Sequence, residues 1–204
     1  FDSKIIKVNI NKNDIFLKEI NNRYFLTETN KENFLFVLEI SKKFKVKKSL
    51  LIKTVNNFRG LKYRQQIIFK KKYLTVINDS KSTSFSSSIG LLKVNPNIHW
   101  LVGGIYKKGD KFKLSKKYFN NIKAYIYGNN KNFFNKKFRG KLKFENFENL
   151  KDALKKVFVN IKKQKYEKKT ILFSPCAASF DSFKNFEDRG SYFDQLIKKH
   201  INEI

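Results

Sequence analysis

An α/β fold, with a Rossmann-like, mostly parallel sheet covered by helices on both faces, is the class this sequence predicts, and three observations lead to it. From residue 61 onward, short runs of β-branched and aromatic residues alternate with segments of helical periodicity. Where strands alternate with helices, the units are too long for hairpins, which favours parallel pairing. Three of the runs end in polar loops: NDSKST after Ile77, GGIYKKGDKF after Val102 and SPCAASFDSFKNFEDRG after Phe173. Open α/β sheets bind their ligands at the carboxyl ends of their strands, so these loops are where a site is expected.

Taken in order, the chain opens with two strand-like pieces, residues 4–10 and 23–26, joined by a polar turn. A helix is expected over residues 31–44, where Phe34, Leu35, Leu38 and Phe44 keep one side apolar, with Thr29 or Asn30 placed to cap it. Asn30 and Asn33 fall near its start. Their amides either face a ligand lying across the helix end or serve as a cap and a solvated side chain. A second helix, residues 48–55, runs into NNFRG, where Gly60 is a natural stop. A domain boundary is placed there, giving domains 1–60 and 61–204.

Beyond the boundary, residues 65–69 and 73–77 read as strands joined by a Lys-rich turn, and residues 85–92 as a short helix. Residues 100–102 form a strand that runs into Gly103 and Gly104, residues 122–127 a strand ended by Gly128, and residues 142–144 a short strand. Residues 150–161 are the clearest helix, because Leu150, Ala153, Leu154, Val157, Phe158 and Ile161 fall at steps of three and four. A strand over residues 170–173 and a helical tail over residues 183–201 complete the pattern, with Arg189 and Gly190 marking an irregularity in the tail.

Composition narrows the function classes. In 204 residues, 41% hydrophobic residues, 22 of the residues being Phe, are enough to build a core, so the chain is not a disordered polycation. No apolar run approaches the ~20 residues that cross a bilayer, and the opening FDSKIIKVNINKND lacks the apolar stretch of a signal peptide. The expectation is a cytoplasmic protein with no membrane partner. The single Cys176 excludes an internal disulfide and a cysteine-based metal cluster. The sequence has no Met and starts at Phe1, as if inside a domain, so a missing amino-terminal part is expected.

A net charge of +28 raises the question of nucleic acid, since a basic face gains by releasing counterions at phosphates. Only five of the 45 basic residues are Arg (Arg23, Arg59, Arg64, Arg139 and Arg189), and Arg is the side chain that phosphate forks and base edges favour. The lysines are spread along the chain among Asn, Ile and Phe, with no recognition motif. Solvated Lys-rich faces account for the charge, and no nucleic-acid partner is expected.

The loops carry the chemistry. Their strands, if parallel, end on one edge, so the three loops should share a site. Lys81 and Lys107 can neutralise phosphate or carboxylate, Gly103 and Gly104 allow close backbone approach, and Thr83, Ser174 and Ser179 offer hydroxyls. The alternative for each loop is an ordinary strand-to-helix turn that caps its own helix. Neither His99 nor His200 sits beside a nucleophile motif, Cys176 has no His in its loop, and no GxxxxGK[ST] phosphate loop occurs.

LKYR at 61–64, INDSKST at 77–83, WLVGGIYKKGDKF at 100–112 and SPCAASFDSFKNFEDRG at 174–190 together resemble the Mur ligases, and among them the D-glutamate-adding branch. The four motifs stand in the family's order, and the last is long and specific. The resemblance implies the end of an ATP-binding central domain over residues 1–60, followed by the family's carboxyl-terminal domain. It also implies a monomeric ATP-dependent ligase of peptidoglycan precursor synthesis: ATP phosphorylates the carboxylate of UDP-N-acetylmuramoyl-L-alanine, and D-glutamate attacks the acyl phosphate.

By motif, Asn30 and Asn33 resemble the Asn-x-x-Asn that meets adenine, Arg64 an arginine on the nucleotide and Asp79 a residue near the ribose. Lys81, Thr83, Lys107, Ser179, Phe180 and Phe186 resemble the D-glutamate site, with Lys107 as the candidate catalytic residue. Mg2+ would be bound mainly by the missing amino-terminal portion, with no metal ligand in this chain. Thr29 replaces the usual His before the first Asn, Lys62-Tyr63 the usual Pro-His, and Ile105 an acidic residue sometimes found after the glycine pair. Another Mur-type or a folylpolyglutamate-type ligase is the alternative, and a basic nucleic-acid-binding module a distant third.

Overall fold

The computed structural model describes residues 8, 18–164 and 166–201, and these divide into two compact units, Phe1–Arg59 and Gly60–Ile204. In the first unit, α1 (Glu28–Lys43) and α2 (Lys48–Asn56) pack through Phe34, Leu35 and Leu38 of one helix and Leu51 and Val55 of the other. The expected strand at residues 23–26 is instead a 3-10 helix, Arg23–Leu26. Asn22 explains the difference: its side-chain oxygen accepts from Tyr24 N at 3.0 Å, and its amide donates to the carbonyls of Val55 and Phe58. A capped turn tied to α2 outweighs the strand preference of Tyr-Phe-Leu.

The helix cap also moves. Thr27, not Thr29 or Asn30, caps α1, its hydroxyl accepting from Asn30 N at 3.4 Å, so the helix starts three residues earlier than expected. The strand expected at residues 4–10 lies outside the described residues except for Val8, which is in no regular element.

The second unit is a six-stranded sheet of order β1-β2-β6-β3-β4-β5, formed by β1 (Gln66–Lys71), β2 (Leu74–Asn78), β3 (Ile98–Gly103), β4 (Ile122–Tyr127), β5 (Lys143–Phe147) and β6 (Lys169–Phe173). β2 to β6 are mutually parallel, and the edge strand β1 runs antiparallel to β2 with a bulge between Ile67 and Phe69. The helices α3 (Phe85–Val94), α4 (Lys131–Phe138), α5 (Leu150–Lys162) and α6 (Phe186–Ile201) cover both faces.

Each central strand must therefore be apolar on both sides. In β3, Ile98, Trp100 and Val102 join a core with Phe85, Leu91 and Leu92 of α3 and Phe134 and Phe138 of α4. Leu101 joins the opposite core with Leu154, Val157 and Phe158 of α5 and Phe193 and Leu196 of α6. Losing one of the fully buried rings, such as Phe134 or Phe193, would cost about 3–5 kcal/mol.

α4 and a 3-10 turn, Lys116–Asn121, have no counterpart among the expected elements. The irregularity expected at Arg189 and Gly190 is absent, because α6 is continuous through them. Gly190 is there for packing: a Cβ would sit 2.4 Å from the Tyr63 ring. No helix among the described residues is long and apolar enough to cross a membrane.

Candidate functional site

β2, β6 and β3 are neighbours in the sheet and all run the same way, so their carboxyl ends, and the three polar loops, lie on one edge. Hydrogen bonds then join the loops directly. Asp79 N donates to Phe173 O at 2.7 Å, and Gly103 N donates to Pro175 O at 3.1 Å. Ile105 and Ala178 exchange both backbone bonds, at 3.0 and 2.8 Å, which places the segment carrying Lys107 beside the segment carrying Ser179. The glycine pair makes this approach possible. A Cβ at Gly103 would lie 2.2 Å from Tyr127 O, and one at Gly104 2.4 Å from Ala178 O.

At the mouth of this edge stand the side chains with binding chemistry. Lys107 and Thr83 are exposed, Phe180 is exposed and Ser179 is buried. The Lys81 ammonium rests 4.0 Å above the half-buried Phe186 ring, a cation–π contact of about 0.5–1 kcal/mol. Two ammonium groups with neighbouring hydroxyls match a small dianion better than a single carboxylate.

Below this layer lies polar machinery that sequence reading did not find. Arg189, 1% exposed, donates from Nη2 to the carbonyls of Ser80 (2.6 Å) and Ala177 (3.0 Å), and from Nε to Ser80 Oγ (3.1 Å). Ser80 Oγ in turn donates to Phe186 O at 2.8 Å. One guanidinium thus fixes the loop after β2, the loop after β6 and the start of α6. Asn78 adds a second tie, donating to Gly190 O (2.9 Å) and Asp194 Oδ1 (2.7 Å). Apart from Arg189 and Ala177, these partners lie more than a hundred residues apart in the chain, so no local pattern announces them.

Asp79 is buried, and both carboxylate oxygens accept bonds from the protein, Oδ1 from Gln65 N at 3.0 Å and Oδ2 from the Ser174 hydroxyl at 2.7 Å. Burial pushes its carboxyl up to about 7, against the Ser174 and Gln65 hydrogen bonds and the charges of Arg189 and Arg64, which all favour the anion. Arg64 is exposed and is flanked by Tyr63 (φ 60°) and Gln65 (φ 51°), both in the left-handed region that costs ordinary residues about 1–2 kcal/mol. Asp79, through Gln65 N, and Lys81 N, which donates to Tyr63 O at 2.9 Å, hold this strained turn against β2.

Cys176 is buried, hydrogen-bonded to Ser88, and its thiol is pushed well above the ordinary range by burial, so it is not a nucleophile. His99 lies in a buried network with Tyr125 and Gln164, and burial lowers it to about 4. Neither Cys176 nor His99 is therefore presented at this edge as a reactive group. Asn30 and Asn33 lie in the other unit: Asn30 is buried and donates to Tyr24 O at 2.6 Å, whereas Asn33 is exposed. Among the described residues no group of three or more His, Cys, Asp or Glu stands together as a metal site.

No family profile matches the chain. Curated relatives do. It is 35% identical over 196 residues to the UDP-N-acetylmuramoylalanine–D-glutamate ligase of Rickettsia felis, covering 96% of this chain and 43% of that one. It is 36% identical over 171 residues to the ligase of the same name from the Wolbachia of Brugia malayi, covering 84% of this chain and 34% of that one. The chain thus spans less than half the length of these relatives. Among solved structures, UDP-N-acetylmuramate-alanine ligase of Thermotoga maritima superposes with a TM-score of 0.60 at 15% identity, over 87% of this chain and 39% of that one. MurF of Acinetobacter baumannii superposes with a TM-score of 0.55 at 16% identity, over 84% and 38%. The two solved structures bear on the fold alone.

Proposed function

We propose, from a chain that resembles a carboxyl-terminal portion of the D-glutamate-adding Mur ligases in sequence and the Mur ligases in fold, that it is the amino-acid-binding part of an ATP-dependent ligase. In this reading it presents D-glutamate to the activated carboxylate of UDP-N-acetylmuramoyl-L-alanine. The observation that carries the reading is the meeting of three separate loops, with Lys81, Thr83, Lys107, Ser179 and Phe186, on one edge of the sheet.

D-glutamate has two carboxylates, and Lys81 with Thr83 and Lys107 with Ser179 supply a cation and a hydroxyl for each. Phe180 and Phe186 wall the side-chain methylenes. Lys107 is the candidate catalytic residue, because an ammonium held there opposes the negative charge that grows when the amine attacks an acyl phosphate. Arg64 and Asp79 serve the nucleotide, Arg64 through its exposed guanidinium, and Asn30 and Asn33 serve the adenine. When bound, ATP supplies the phosphoryl group that activates the acceptor carboxylate. Mg2+, which this chemistry employs, is assigned no residue of this chain.

These 204 residues contain no GxxxxGK[ST] sequence, and the chain by itself is expected to release no phosphate from ATP in the presence of both other substrates. The binding reading is tested separately. D-glutamate titrated into the isotopically labelled chain should shift the backbone amides of residues 79–83, 103–110 and 177–186, and L-glutamate should do so far more weakly. An equal response to the two enantiomers would refute the assignment.

A further inference from the structure

The loop that carries Lys107 is tied at both ends and beside Lys107 itself. Lys107 lies in a loop between Ile105, which pairs with Ala178, and Asp110, whose carboxylate accepts from Phe85 N at 2.7 Å at the first turn of α3. Asp110 N donates to Lys107 O at 3.1 Å, closing a turn around Gly109, whose φ is 83°. These contacts fix the two ends of the loop. Between them, Tyr106 lies flat on Phe133 of α4, ring centroids 3.9 Å apart and planes 7° from parallel. Phe133 in turn lies parallel to the buried Phe85 ring at 6.1 Å, and the Lys137 ammonium stands 5.2 Å from its face. A column of three rings therefore runs from the core to the residue beside Lys107.

We propose that Tyr106 is the positioning residue for Lys107: its stack on Phe133 holds the loop so that the neighbouring ammonium faces the anion site. Seating the Tyr106 ring on α4 fixes the backbone of the adjoining residue, and with it the root of the Lys107 side chain. The same column rests on Phe85, the residue that follows the loop of Lys81 and Thr83, so both cationic loops are referred to one aromatic support. α4 thereby acts on amino-acid binding through the Tyr106 ring. The inference rests on the D-glutamate reading above.

The test uses Tyr106→Ala, Tyr106→Phe and Phe133→Ala in the full 204-residue chain. Backbone order is read from heteronuclear NOEs of the Lys107 and Lys108 amides, and affinity from D-glutamate titration. Tyr106→Ala is expected to lower the order of both amides and to weaken D-glutamate binding about five-fold, the loss of one ring stack. Phe133→Ala should reproduce this, and Tyr106→Phe, which keeps the stacking face, should behave as the unsubstituted chain. Unchanged order in Tyr106→Ala, or unchanged affinity beside a binding unsubstituted chain, would overturn the inference alone. Failure of the unsubstituted chain to bind D-glutamate would instead overturn the functional reading and this inference with it. Amide spectra that remain dispersed away from the loop show that a variant is folded, and Tyr106→Leu replaces any variant that is not.

Discussion

Replacing Asp79 by Asn should change how stability depends on pH, by an amount that follows from its burial. The native carboxyl titrates near 7, raised chiefly by desolvation, whereas an unfolded aspartate titrates near 3.8. Between these values the folded chain holds a proton that the unfolded chain has released. The stabilisation is therefore complete below pH 3.8 and is lost as pH rises through 7. The gap between the two values corresponds to about 4 kcal/mol. A carboxamide at this position cannot titrate, so the variant should gain about that much relative to the parent between about pH 4 and pH 8, after an initial cost of about 1 kcal/mol for one lost acceptor. Urea unfolding of both proteins at several pH values gives the difference directly, with other titrating groups cancelling. A difference that stays constant across this range would refute the reasoning, and would mean that the Ser174 hydroxyl and the two arginines keep Asp79 ionised.

Other substitutions test separate links. Lys107→Ala should weaken D-glutamate binding by about 2 kcal/mol in calorimetry, the loss of a charge-assisted bond, whereas exposed Lys198→Ala should leave it unchanged. Gly103→Ala places a Cβ 2.2 Å from Tyr127 O and should destabilise by more than about 2 kcal/mol in thermal unfolding; Gly109→Ala, with nothing within 4 Å of its Cβ, should cost about 1 kcal/mol for its φ of 83° alone. His99 acts with the opposite sign to Asp79. Its native pKa of about 4 lies below the usual 6.5, so the stability it confers as a neutral ring is lost as pH falls from 6.5 toward 4, by about 3 kcal/mol. His99→Gln should flatten that acid limb in urea unfolding.

The sequence carried the parts of the fold that depend on local periodicity. The six apolar residues from Leu150 to Ile161 predicted α5 to within a residue, and Ile122–Tyr127 is the strand expected to end at Gly128. Where a local signal competes with a tertiary one, the reading failed. Tyr24, Phe25 and Leu26 have strand preferences, but the Asn22 side chain commits them to a turn. α4 was hidden because its buried Phe134 and Phe138 stand among lysines and asparagines, which dilute the apolar pattern. The placing of Lys81, Lys107 and Ser179 on one edge followed from strand direction alone. What holds them there did not: Arg189 to Ser80, Ser174 to Asp79 and Tyr106 to Phe133 are each pairs that only the folded chain brings together.

A crystal structure of this chain grown with D-glutamate tests the shared edge most directly. The ligand is expected at the carboxyl ends of β2, β6 and β3, one carboxylate within hydrogen-bond distance of Lys81 and the other of Lys107 or Ser179. D-glutamate bound elsewhere, with that edge empty at saturating ligand, would contradict the D-glutamate reading.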